Sequence, residues 1–215
     1  MPRLTRSFAR LAFACLVTAA PTLAAATPGD FDFYVLSLSW SPTYCATDTR
    51  PDPEQCATPN LGFVAHGLWP EYDRGMGSEN CASAEPSFVK RSTLDAIADI
   101  IPNSGFAAYE WRKHGLCTGL SATRYFNLLR EAVARVAIPP SFATPDRALR
   151  LAPAAIEAAF AAVNPGLSSG GMAVRCQGGA LSEVRICFTK GLDFRRCPAI
   201  DAAACHATSL SVPVQ

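Results

Sequence analysis

Tyr109-Glu110-Trp111-Arg112-Lys113-His114-Gly115-Leu116-Cys117 packs a carboxylate, a cation and an imidazole into a single turn and closes on a cysteine. Phe106 to His114 reads as a helix stopped by Gly115. That sets Glu110 and His114 at i, i+4 with Lys113 beside them, so the three side chains can face one space. A carboxylate, a cation and an imidazole on one face have the chemistry of an acid–base site. A second stretch, Phe63-Val64-Ala65-His66-Gly67-Leu68-Trp69-Pro70, sets another imidazole beside a glycine and follows it with a large aromatic. The chain holds three histidines, and these two stretches account for two of them.

Outward from the central helix, the pattern is helical in the middle and strand-like at both ends. Phe31 to Trp40 puts Tyr34, Leu36, Leu38 and Trp40 on one face and alternates them with serines towards its end, the mark of a strand with one face in a core. Pro42 to Pro59 has no apolar period and reads as an excursion that a local Cys45–Cys56 bridge would fasten. Leu61 to Ala65 reads as a short strand delivering His66, and Glu71 to Pro86 as a surface loop. Ser92 to Ile101 carries Leu94, Ile97, Ala98 and Ile101 at helical spacing, with Ser92 as N-cap and Pro102 as terminator. Ser121 to Val136 is the clearest amphipathic helix, and Pro153 to Val163 is an alanine-rich packing helix. Met172 to Cys176 and Leu181 to Thr189 alternate across Gln177-Gly178-Gly179-Ala180, a hairpin. The expected fold is a single α+β domain with a mostly antiparallel central sheet packed by several helices and stapled by disulfides.

Residues 1–26 stand apart. Arg3, Arg6 and Arg10 precede an apolar run from Leu11 that ends in Ala24-Ala25-Ala26, which reads as a secretory signal peptide to be removed, leaving 27–215 as the domain. The run is broken by Pro21 and is shorter than the roughly 20 residues a membrane span needs. Cys15 falls inside it. The other cysteines, at 45, 56, 81, 117, 176, 187, 197 and 205, form an even set behind an export signal, as expected of disulfides in an oxidising compartment. Each bridge contributes about 2 to 4 kcal/mol. Spacing alone allows roughly a hundred pairings, and no pair has the close spacing of a zinc or redox motif. The full chain has a net charge of only +1, so no global basic field draws in nucleic acid, and a polyanion must be held by local charges and stacking.

Two imidazoles and a lysine suit in-line attack at phosphorus. One imidazole takes a proton from a hydroxyl, the other gives one to the leaving oxygen, and the cation steadies the phosphoryl charge. His66-Gly67-Leu68-Trp69-Pro70 and Glu110 to Cys117 resemble the two active-site segments of the ribonuclease T2 family, in that family's order and about fifty positions apart. Ser39-Trp40-Ser41-Pro42 with Cys45, and Leu181-Ser182-Glu183-Val184-Arg185-Ile186-Cys187, are similar to its flanking strands, whereas Pro139 to Gly171 carries little of the likeness. The resemblance implies an endoribonuclease that cuts single-stranded RNA without metal or other cofactor, through attack of the 2′-hydroxyl on phosphorus to leave a 2′,3′-cyclic phosphate. DNA, lacking that hydroxyl, would not be cut.

Carried over by motif position, His114 is the general base, His66 the general acid, and Glu110 and Lys113 act on the phosphate. Trp69 and Phe106 are the expected base-stacking residues, with Glu71 and Tyr72 near the first base. Tyr109 departs from the commonest pattern, in which a third histidine precedes the glutamate. A tyrosine hydroxyl still donates a hydrogen bond there. His206 matches no motif and reads as a surface residue. The resemblance also implies the pairings Cys81–Cys117, Cys176–Cys205 and Cys187–Cys197, leaving Cys45 with Cys56. A monomer, free of the membrane once its leader is gone, is expected. The preference for Ala and Arg over Lys and the absence of Asn-x-Ser/Thr sites point to a bacterial periplasmic or secreted protein. Two rival readings remain at this level: a two-histidine, one-carboxylate metal site built from His66, Glu110 and His114, and a secreted binding protein without catalysis.

Overall fold

The computed structural model describes residues 27–75, 77–143 and 147–214; the leader expected over 1–26, with Cys15, lies outside them. Strand β1 (Phe33–Trp40) is the spine of the sheet, pairing β2 (Phe63–Glu71) on one side and β5 (Ala180–Phe188) on the other, both antiparallel. Its alternation is the expected one. Tyr34, Leu36, Leu38 and Trp40 enter the main core, while Phe33 and Val35 join Trp69, Cys187 and Cys197 in a smaller cluster. Ser37 and Ser39 carry that second face onward in polar form, since strand residues two apart share a face.

Between β1 and β2 the expected irregular excursion contains two short helices, α1 (Ser41–Thr47) and α2 (Pro53–Ala57). Both carry a proline in the first turn, where the missing N–H costs nothing. Asp52 caps the second by accepting from the Gln55 N–H at 2.9 Å, so these prolines start helices rather than break a chain. Strand β2 runs well past Ala65, because its ladder with β1 continues to Glu71. Helix α3 is only Arg91–Asp95 with Lys90 as its N-cap, shorter than expected. One carbonyl that a longer helix would use, Ala96 O, is taken from outside by the Arg130 guanidinium at 2.5 Å, and beyond the helix Ile100 O accepts from the Ala65 N–H of β2 at 2.9 Å.

Helix α4 (Ser104–Lys113) begins at Asn103, whose side chain accepts from the Phe106 N–H at 2.7 Å. His114 caps its far end, its own N–H still bonded to Glu110 O at 2.9 Å, and a 3-10 turn follows over Gly115–Thr118. Helix α5 (Ala122–Ala134) buries Tyr125, Phe126, Leu129 and Ala132 against the sheet. The rest comprises α6 (Pro140–Ala143), β3 (Leu149–Leu151), α7 (Pro153–Val163), β4 (Met172–Gln177), α8 (Pro198–Asp201) and β6 (Leu210–Val212). The β4–β5 hairpin turns on Gly178 and Gly179, both at positive φ as a two-residue primed turn requires. Strand order is β2-β1-β5-β6-β3, with β4 also on β5; every pair is antiparallel except β5 with β6. The protein is thus a single α+β domain on a mixed, mostly antiparallel sheet. Its disulfides are Cys45–Cys56, Cys81–Cys117, Cys176–Cys205 and Cys187–Cys197, the four expected pairs.

Candidate active site

His66 owes its position to an irregularity in the ladder. Ser37 faces Gly67 and Leu38 faces Ala65, so His66 is the extra residue of a β-bulge. In a regular strand it would lie opposite Leu38 and point into the apolar core. The bulge turns it onto the polar face instead, where Nδ1 lies 2.9 Å from Glu183 Oε1 and 3.1 Å from Ser39 Oγ. Ser39 and Glu183 are direct partners across β1 and β5, so the register delivers both to the same nitrogen. The strand is pinned one residue beyond Gly67, where the buried Tyr125 hydroxyl donates to Leu68 O at 3.1 Å and accepts from Leu68 N at 3.3 Å.

Helix α4 brings its carboxylate to the other nitrogen. Glu110, only 1% exposed, holds Oε1 3.7 Å from His66 Nε2 and accepts the Trp69 indole N–H on Oε2 at 2.8 Å. Burial raises its pKa, against the pull of His66, the indole bond and Lys113. Gly67 makes this meeting sterically possible, since a Cβ there would stand 2.5 Å from Glu110 Oε2 and 2.6 Å from the Trp69 nitrogen.

His114 lies at the end of the same helix in different surroundings. It is 8% exposed and its ring lies 5.1 Å from that of Trp69. Burial, and after it the Lys113 charge, push its pKa down to about 3, with lesser contributions from His66 and Arg185 and an opposing one from the Ser78 backbone. It is therefore neutral across the ordinary pH range. Lys113 is half-buried, 3.4 Å from Glu79 Oε2 and 5.9 Å above the Tyr109 ring. Burial alone would lower its pKa, but Tyr109, Glu79 and Glu110 together outweigh that and raise it. The Cys81–Cys117 bridge and the Asn80 N–H on Lys113 O, at 2.7 Å, tie the loop carrying Glu79 to the end of α4.

His66, Glu110, Lys113, His114, Trp69 and Arg185 line one open cleft of about 430 Å³. His66 also borders a second hollow of about 570 Å³, whose walls include Phe106, Tyr44 and Asn103. The two depressions thus meet at that imidazole. Phe106 lies half-buried, with its ring 5.0 Å from His66 and stacked at 6.2 Å on the exposed Tyr109. Trp69 is more enclosed than a free stacking platform: 8% exposed, with His114 near its ring and the Arg185 guanidinium 4.8 Å from its centroid. Glu71, at the cleft wall, is pushed up to about 7 by burial, with Arg185 opposing and Glu79 adding to the rise. His206 is exposed and lines neither depression. Among the described residues, no group of three or more His, Cys, Asp or Glu side chains has metal-binding geometry.

Reading by motif missed Ser39, Glu183 and Arg185. Their signal was a Glu-x-Arg pair in a mostly apolar strand, set by the register opposite the serines of β1.

A family model described as the ribonuclease T2 family matches residues 31–197. A ribonuclease of Aeromonas hydrophila is 34% identical over 79% of this chain and 77% of its own length. The chain belongs to the ribonuclease T2 family. As a T2 ribonuclease it is an endoribonuclease by family. Its fold is that of known structures: an RNase-related protein from Calystegia sepium superposes with a TM-score of 0.67 at 22% identity, covering 86% of this chain and 98% of that one. RNase NT, solved in complex with 5′-AMP, gives 0.65 at 23% identity over 86% and 100%.

Proposed function

We propose that this T2 ribonuclease cleaves single-stranded RNA by transphosphorylation, with His114 as general base and His66 as general acid. The observation that carries the assignment is the contrast in environment. His114 is buried beside a cation and stays neutral, the state a base needs. His66 lies between two carboxylates, Glu110 at 3.7 Å and Glu183 at 2.9 Å, and its ring borders the cleft, where a proton donor must stand.

In the first step His114 accepts the proton of the ribose 2′-hydroxyl as that oxygen bonds to phosphorus. The P–O5′ bond breaks with its electron pair on oxygen, and His66 supplies the proton that neutralises it, leaving a 2′,3′-cyclic phosphate and a free 5′-hydroxyl. Lys113 stabilises the charge that builds on the non-bridging oxygens, and Glu110 holds the Trp69 indole while facing His66. The base on one side of the phosphate lies against the Trp69 wall near Glu71 and Tyr72. The base on the other side enters the hollow beside Phe106. Export with removal of 1–26, to a bacterial periplasm or medium, fits the oxidising compartment that four disulfides need, and the catalyst acts as a monomer.

Purified protein incubated with RNA and with DNA in excess chelator tests this directly. RNA cleavage to cyclic-phosphate ends is expected, with DNA intact, and loss of cleavage on adding chelator would overturn the mechanism in favour of a metal-dependent one.

A further inference from the structure

We propose that Glu183 is a positioning residue for His66: its carboxylate, anchored by Arg185, receives the Nδ1 proton and so turns Nε2 toward the cleft as the proton-donating atom. The proposal rests on His66 being the general acid. Glu183 is bound at both ends. Oε1 faces His66 Nδ1 at 2.9 Å, while Oε2 accepts from Arg185 Nε at 2.9 Å and Nη2 at 2.8 Å. An unprotonated Nδ1 would aim its lone pair at the carboxylate, setting two acceptors face to face with no hydrogen between them. Nδ1 must therefore carry hydrogen. The carboxylate is the stronger acceptor for it than the Ser39 hydroxyl at 3.1 Å. With Nδ1–H committed, Nε2 is the nitrogen that faces Glu110 and the cleft, and its proton is the one available for transfer.

The charged groups around His66 agree. Glu183 and Arg185 reach it from β5, Glu110 from α4, and His114 from that helix's end. Burial pushes the Glu183 pKa up, but the hydrogen bond and charge of His66, with Arg185, outweigh this and hold it at about 2. Glu183 is thus a fixed anion beside the imidazole, not a proton shuttle. The arrangement follows from the fold: Glu183 and Arg185 share one strand face by their spacing, the β1–β5 register sets Glu183 opposite Ser39, and the bulge brings His66 to meet them.

Glu183→Gln keeps shape and removes the charge, and two substrates separate its effects. On a dinucleotide, whose leaving alkoxide needs a proton, kcat should fall about 10- to 100-fold with KM little changed. On a nucleoside 3′-(4-nitrophenyl phosphate), whose leaving group departs unprotonated, the loss should stay within about threefold. In a His66→Ala background Glu183→Gln should add no further loss on the dinucleotide, and Glu183→Asp should retain part of the rate.

Equal losses on both substrates, or a further loss on the dinucleotide in the His66→Ala background, would make the role merely structural and overturn the proposal. So would unfolding of both the Gln and Asp variants, read by thermal melting. The underlying reading fails separately and visibly: His66→Ala alone would then slow the aryl ester as much as the dinucleotide.

Discussion

His66 and His114 carry the same side chain, each followed by Gly-Leu, in opposite settings. One stands on a strand bulge between two carboxylates. The other closes a helix, buried, beside a lysine that helps keep it uncharged. Identical imidazoles thereby stand in different surroundings without any change in covalent structure, which is what the proposed proton relay across one phosphate uses. The proposed division is by element: the sheet would hold the donor and the helix end the acceptor.

The largest test of that division is removal of each ring. His114→Ala should lower kcat/KM by about 10² to 10⁴-fold on both RNA and the aryl ester, whereas His66→Ala should do so on RNA alone; steady-state kinetics on the two substrates decide it. Next in size is Lys113→Met, which takes a developing-charge contact away and should cost about 10²-fold in kcat. It also removes a cation that depresses His114. The base must be neutral to work, so its acidic limb, set near pH 3 by His114, should shift upward in a pH–rate profile of the variant.

Gly67→Ala drives a methyl group into the Glu110–Trp69 pair and should destabilise by about 1 to 3 kcal/mol, read as a lower urea midpoint. Acid unfolding sharpens the contrast further. His114 binds its proton less readily folded than unfolded, so stability should decline as pH falls from 6.5 toward about 3. Glu183 adds a decline from about 4.5 toward about 2. In His114→Asn the upper part of that slope should flatten, as checked by denaturant unfolding at several pH values. The smallest effect is expected from Tyr109→His. The side chain is 44% exposed, so stability should change by less than about 0.5 kcal/mol in a melting experiment.

The quartet proposed as catalytic was legible because a motif is local. Glu110, Lys113 and His114 fall within one helical turn, and His66 announces itself through Gly67 and Trp69. The alternation of Tyr34 to Trp40 likewise located β1, and the two glycines located the β4–β5 turn. Long-range decisions were not legible. That Ser92 to Ile101 stops early goes with Arg130 of α5 claiming the Ala96 carbonyl. Strands of three residues, β3 and β6, are too short for any period. Ser39, Glu183 and Arg185 meet His66 only through sheet register, which no window of sequence contains. Trp69 has the expected place but less free ring than expected, since His114 and Arg185 flank it.

The bulge at His66 carries a cost that the molecule retains. A ladder without the extra residue would be the more regular pairing, but the same deletion would take away the ring that Glu183 holds. Selection for thermal robustness alone would favour trimming this position, whereas selection for turnover keeps it. Variants shortened by one residue here should be looked for among the sturdiest inactive members of a deletion library.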